Sequence, residues 1–148
     1  GPALLYMARP SEPEVFYEDC LMASVYYGCQ ALIEDNKPGC IKHFEDRGYI
    51  DWMISKIGQP RNSLIKGDAP SGNKSAFMDE IVGLIDAITS IPLPGTDDPY
   101  LLERNMFLEL LEDVSKFNLK DTHARDLSMA WGQALLGAAK LLFKKQLL

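Results

Sequence analysis

Two acids far apart in the sequence, Glu34 and Asp126, are the residues of this 148-residue chain whose types and settings could do chemistry. Carboxylates that converge in space bind hard divalent cations through oxygen. Two such ions about 3.5–4 Å apart stabilise the attacking and leaving oxygens of a phosphodiester displacement. The economical place for such a site is the end of a strand, completed by a carboxylate from a packed helix. Gln30-Ala31-Leu32-Ile33 lies between Gly28 and the turn-forming Asp35-Asn36, which predicts a short buried strand presenting Glu34 at its end. Asp126 is expected in the first turn of an otherwise basic, apolar helix. Both acids also have ordinary readings, a favourable charge at a helix start for Asp126 and a solvated turn residue for Glu34. Around Asp126 the small residues Ala130, Ala134, Gly137 and Ala138 recur at helical spacing and predict close packing.

The elements that would position these acids follow from periodicity and punctuation. Leu4 to Ala8 is an apolar run closed by Arg9-Pro10 and predicts a strand. Ser11 is a candidate N-cap, with Pro13 and Glu14 suited to a first turn. Val15, Phe16, Leu21, Met22, Val25 and Tyr26 continue at helical spacing until Gly28. Asn36-Lys37-Pro38-Gly39 opens a second helix that runs through His43 and Phe44 to Gly48. This strand–helix–strand–helix rhythm predicts an α/β fold with a parallel or mixed sheet flanked by helices. Tyr49 to Ile54 fits either a short strand or a helical turn. Gly58 to Gly72 is a loop or weak hairpin, long enough to expect a function. Three helices are predicted after it, at about 73–89, 99–117 and 123–145.

With 47% hydrophobic and 24% charged residues the composition is that of a single globular domain. No apolar run reaches the ~20 residues of a membrane span, and no secretory signal is evident at the N-terminus. Gly1-Pro2 reads as the scar of tag removal, so the natural sequence is expected to begin at Ala3 or Leu4. Cys20, Cys29 and Cys40 lack paired metal spacing and predict free thiols in a reducing compartment, with the cytoplasm as the default. The net charge of −6 argues against a general nucleic-acid coat protein, but it is unevenly spread. From Asn36 to Lys74, seven Lys or Arg face four acids, whereas from Ser75 to Thr122 three bases face ten acids. An anionic partner is therefore expected to meet the middle segment or the C-terminal helix, and the acidic helices are expected to face outward. Lys37, Lys56, Arg61, Lys66 and Lys74 are the candidate phosphate contacts, Lys37 nearest Glu34; the alternative is ordinary solvated charge. His43 has no His or Cys partner at ligand spacing and reads as structural. Ser71-Gly72-Asn73-Lys74-Ser75 lacks the Walker pattern, which argues against a nucleotide loop.

The order of short motifs resembles one family. Arg9-Pro10, Phe16-Tyr17-Glu18 and Tyr26-Tyr27-Gly28 look like the entry to the C-terminal nuclease domain of tailed-phage large terminases. Ala31-Leu32-Ile33-Glu34 running into Asn36-Lys37-Pro38-Gly39 resembles the family's second acidic motif. Lys74-Ser75 is similar to the segment after its long loop, and Asp126-Leu127-Ser128-Met129-Ala130 resembles its last acidic motif. The resemblance implies a ribonuclease H-like mixed sheet flanked by helices over residues 3–148, with the first strands lying outside the chain. It implies a metal-dependent endonuclease that cuts concatemeric double-stranded DNA during viral genome packaging in the host cell cytoplasm. Glu34 and Asp126 would be catalytic ligands of a two-metal Mg2+ or Mn2+ site. The portal and the small terminase subunit would be partners in the intact motor, and no membrane is involved. The chain departs from the pattern in three ways: no acid precedes Glu12, no packaging ATPase is present, and Arg125 stands before Asp126 where the family often has a second acid. The rival expectation is a non-catalytic interaction domain that docks a portal or partner subunit.

Overall fold

Why Pro13–Tyr27 becomes a helix is visible at both of its ends. Pro13 occupies the first helical position, where its missing N–H costs nothing and its φ is already helical, and Glu12 is the residue that precedes it. Gly28 adopts a left-handed φ of 63°, and the amides of Gly28 and Cys29 return to the carbonyls of Val25 (3.2 Å) and Ser24 (3.0 Å). This paired closure satisfies the orphan carbonyls of the last turn. The computed structural model describes residues 4–36, 38–56, 58–68, 79, 82–83, 107–118 and 125–143. The chain divides into two compact units, Tyr6–Ala69 and Pro70–Leu148 with the first five residues.

In the first unit, α1 (Pro13–Tyr27) packs against α2 (Pro38–Asp46). α2 is amphipathic, with Cys40 and Phe44 buried one turn apart and Lys42, Glu45 and Asp46 exposed. It ends as α1 does. Gly48 sits at φ 80°, and Gly48 and Tyr49 donate to Glu45 (2.9 Å) and Phe44 (2.8 Å). Ile50–Trp52 then makes a single 3₁₀ turn, which resolves the ambiguity at 49–54 in favour of helical geometry for its first part. Leu21, Cys40, Phe44 and Met53 form the core, with Tyr17, Cys20, Ala31, Ile33, Ile41, Tyr49, Ile50 and Trp52 packed around it.

The expected ribonuclease H-like mixed sheet is not what the chain forms. The described residues are mostly helical and contain no strand and no sheet. Isolated bridges stand in its place, among them Ala31 with Met53 and Glu34 with Asp68, both parallel, and Ser55 with Lys66, antiparallel. The physical reason is length. The apolar run 30–33 is bounded by turns on both sides, and Gly67, at φ 81°, bends the facing segment before a ladder can extend. The run from Leu4 to Ala8 forms no strand either. Tyr6 instead stacks on Phe16 of α1 (5.2 Å between ring centroids), and its hydroxyl donates to Asp19 at 2.5 Å.

In the second unit, α3 (Leu108–Ser115) packs against α4 (Asp126–Phe143). Leu110 of α3 and Leu136 of α4 are buried. Within the predicted 73–89 helix, the described positions Asp79, Val82 and Gly83 are helical. The rest of that segment, including Lys74, and the start of the predicted 99–117 helix lie outside the described residues. Among the described residues no helix is long and apolar enough to cross a membrane.

Candidate functional site

Glu34 ends the extended segment that begins at Ala31, and it is pinned by main-chain bonds on both sides. Asp68 N–H donates to Ile33 O (2.8 Å), and Asp35 N–H donates to Asp68 O (3.1 Å). The Glu34 side chain is half-buried, and its Oε1 accepts from Asn36 Nδ2 at 2.9 Å. Its neighbour Asp35 turns its carboxylate to Lys56, 3.1 Å from Oδ2 to Nζ. Gly67 lies so close beneath this turn that a Cβ there would stand 2.6 Å from Ile41 Cδ1 and 3.2 Å from the Asp35 backbone. A side chain at position 67 is therefore strained by φ and would also press on Ile41 and the Asp35 backbone.

The basic candidates have distinct fates. Lys56 is half-buried and paired with Asp35. Lys66 donates to Ser55 Oγ at 3.3 Å. Arg61 is exposed at the turn, its own carbonyl 2.7 Å from the same Ser55 hydroxyl. Lys37 and Lys74 lie outside the described residues. The structure thus links Glu34 to Asp68 and Ser55 to Lys66 by main-chain bridges, and Asp35 to Lys56 by an ion pair.

Asp126 belongs to the other unit, where it is exposed in the first turn of α4. The small residues around it divide. Gly137 is buried, but Ala130, Ala134 and Ala138 are exposed. The buried face of α4 is Ser128, Gly132, Gln133, Leu136 and Gly137. The acid that ties this helix down is Asp113 of α3, which the sequence reading assigned to an outward face. Its Oδ2 accepts from the Ser128 amide (2.8 Å) and from Ser128 Oγ (2.6 Å), and Arg125 stands 3.7 Å from Oδ1. A signal for it existed. Asp113 lies in the last turn of α3, where the helix dipole opposes an acid, so an acid there calls for a partner elsewhere. Gln133 Oε1 is buried and has no hydrogen-bond partner among the described residues, a standing cost of about 1–3 kcal/mol.

His43 is held by Glu18, Nε2 to Oε2 at 2.7 Å, and Arg47 closes on the same carboxylate at 2.8 Å. These bonds, that to His43 first, hold the Glu18 carboxyl below its ordinary value. Burial pushes the thiol of Cys20 up to about 12 and that of Cys40 to about 11, so both are neutral and poorly nucleophilic near neutral pH. All three cysteines are free, as expected.

Among the described residues no three His, Cys, Asp or Glu side chains converge as metal ligands. The donors available at Glu34 are carboxylate oxygens, which suit a hard, largely hydrated cation of the Mg2+ kind. Such an ion takes one or two protein carboxylates and completes its shell with water and substrate phosphate. Comparison with known protein families, curated proteins and solved structures finds no match to this chain.

Proposed function

We propose that the chain is part of a divalent-metal-dependent endodeoxyribonuclease of the terminase kind, acting on concatemeric viral DNA during packaging. What carries the reading is the setting of Glu34, a half-buried carboxylate on a clamped main chain with one oxygen already engaged by Asn36. Ordered second-sphere contacts of this type orient a metal-binding carboxylate. The order of short motifs from Arg9-Pro10 to Asp126 supports it independently. In this reading Glu34 would be a ligand of Mg2+ or Mn2+, which would supply Lewis acidity and an activated water, and Asp126 is the second acid that the motif order proposes. Arg61 and Lys66, with Lys37, Lys56 and Lys74, would meet the DNA backbone. Double-stranded DNA is then the substrate, the portal and small terminase subunit the partners, and the host cell cytoplasm the compartment.

Two carboxylates clamp two cations poorly, because too few ligands leave charge unbalanced. The purified chain is therefore expected to nick supercoiled plasmid slowly with Mn2+ and hardly at all with Mg2+. Glu34→Ala and Asp126→Asn should each abolish the Mn2+-dependent nicking. Nicking that survives both substitutions, or an absence of nicking under Mn2+, overturns the reading.

One observation favours a second reading, a non-catalytic domain that docks a portal or partner subunit. Val15, Met22 and Tyr26 lie along one face of α1 and are 47%, 58% and 82% exposed, and exposed apolar patches mark interaction surfaces. Full DNA binding by a Glu34→Ala, Asp126→Asn double variant that never cleaves, with partner capture lost in Met22→Ser/Tyr26→Ser, would select it.

A further inference from the structure

We propose that the chain associates head to tail with a second copy of itself, the exposed apolar face of α1 in one copy seating the 61–66 turn of the other. The contact gives the α1 face a definite occupant, and it does not depend on the reading of Glu34 as a cation ligand.

The α1 side is a continuous stripe. Val15, Asp19, Met22 and Tyr26 recur at helical spacing, with exposed Val25 beside them. The buried residues of α1, Leu21 and Ser24, lie on the opposite side, so this stripe is the face that the core leaves uncovered. Single exposed apolar residues are ordinary, but a run of them along one face is a patch. α1 contains no lysine or arginine. Glu18 is answered by His43 and Arg47. That leaves Asp19 within the stripe, and Glu12 and Glu14 exposed at its start. The face is apolar and anionic.

The turn has the opposite character. Leu64 and Ile65 are 73% and 54% exposed, with exposed Arg61 before them and half-buried Lys66 after them. No acid occurs from Gly58 to Gly67. The turn is also held in shape. The Ser55 hydroxyl meets the carbonyls of Arg61 and Ser63, and the Lys56 amide donates to Ile65 O at 2.9 Å. The Ile65 amide donates to Ser63 Oγ at 3.2 Å. Leu64 and Ile65 are thus presented on an ordered main chain, which lowers the entropy lost when they are covered. The turn is apolar and cationic.

Charge decides which surfaces meet. Two α1 faces together would set Asp19 and Glu14 against acids, and two turns would set Arg61 against a base. The crosswise contact pairs opposite charges and covers both apolar patches. Because the two surfaces differ, the contact is heterologous.

The test is sedimentation velocity of the 148-residue chain from micromolar to hundreds of micromolar, with thermal melting recorded in parallel. The mean mass should rise with concentration above the 16.5 kDa of one chain and fall back as salt is added. Met22→Ser/Tyr26→Ser and Leu64→Ser/Ile65→Ser should each lose the association with melting unchanged, since all four side chains are exposed. Mixed together, the two variants should form a heterodimer, because each keeps the surface that the other lacks. Asp19→Lys and Arg61→Glu supply the same test through charge alone, each weakened by itself and restored by mixing. A parent that stays monomeric at every concentration overturns the proposal. So does association that survives in either serine variant alone, or a pair of monomeric variants that fail to combine in both sets. A monomeric parent that sediments with phosphatidylserine vesicles assigns the turn to an anionic lipid surface, and overturns it as well.

Discussion

Among the described residues two helix pairs are each bridged by an acid, and the acids work under opposite conditions. Between α1 and α2 the acid is Glu18, which gathers His43 and Arg47 at the surface. Between α3 and α4 it is Asp113, with 13% of its side chain exposed, whose carboxylate accepts both polar hydrogens of the fully buried Ser128. The surface cluster is screened by water, and each side chain is ordered at an entropic cost, so it adds little. The inner acid does the work of an N-cap from a different helix. It satisfies an amide of α4's first turn, and losing it would strand donors away from water. The first pair is held by its apolar core and decorated by charge, whereas the second depends on its charge.

The sharpest way to break that contrast is Phe44→Ala. Phe44 has no exposed surface and anchors α2 in the core. Its truncation should cost about 3–5 kcal/mol, measured by urea unfolding of the whole chain. A loss below about 1 kcal/mol would mean that the α1–α2 pair does not depend on its core.

Asp113→Ala comes next, at about 2–3 kcal/mol by the same measurement, since it removes two charge-assisted bonds and leaves the Ser128 donors buried. Asp113→Asn keeps one acceptor oxygen and should recover part of the loss. Equal stability of Asp113→Ala and the parent would place the α3–α4 pair in the same class as the first.

The smallest effect belongs to Glu18, and it disappears in acid. Its folded-state carboxyl sits below the ordinary value of 4.5, by its bond to His43 first and Arg47 second. A lowered carboxyl contributes stability that is present above the unfolded value and lost as pH falls through the folded one. Glu18→Gln should therefore differ slightly from the parent above the ordinary carboxyl value and unfold as the parent does once pH has fallen through the lowered one. A difference that grows as pH falls would reverse the sign and refute the assignment.

The same contrast separates what could be read in the sequence from what could not. Helix stops were legible, because Gly28 and Gly48 are punctuation that any chain with a left-handed turn requires. The buried strand expected to present Glu34 did not form, and Ala31 and Glu34 make single bridges instead. The sheet was over-read, since three apolar residues between turns fit isolated bridges as well as a strand. The helical spacing of the apolar residues did not select the inward face of α1. Val15, Met22, Val25 and Tyr26 are exposed, and the helix instead buries Leu21 and Ser24 and packs Tyr17 and Cys20 on the core. Apolar residues run around its whole circumference, so periodicity alone does not choose a side. Asp113 escaped notice because a charge-dense segment reads as a solvated face, and which one of its acids turns inward is decided by tertiary packing. Lys56 was read as a phosphate contact without its partner, because the Asp35 that meets it lies across a long separation in sequence.

Ser55 carries one last consequence. Its buried hydroxyl lies 2.7 Å from the Arg61 carbonyl and 3.0 Å from that of Ser63, across the turn that joins the Ser55 and Lys66 segments. Surface turns ordinarily accept insertions and deletions with little loss. This one is measured against a fixed internal post. Adding or removing a residue between Gln59 and Asn62 would carry the carbonyls out of reach of Ser55, so the turn should tolerate changes of residue type far better than changes of length.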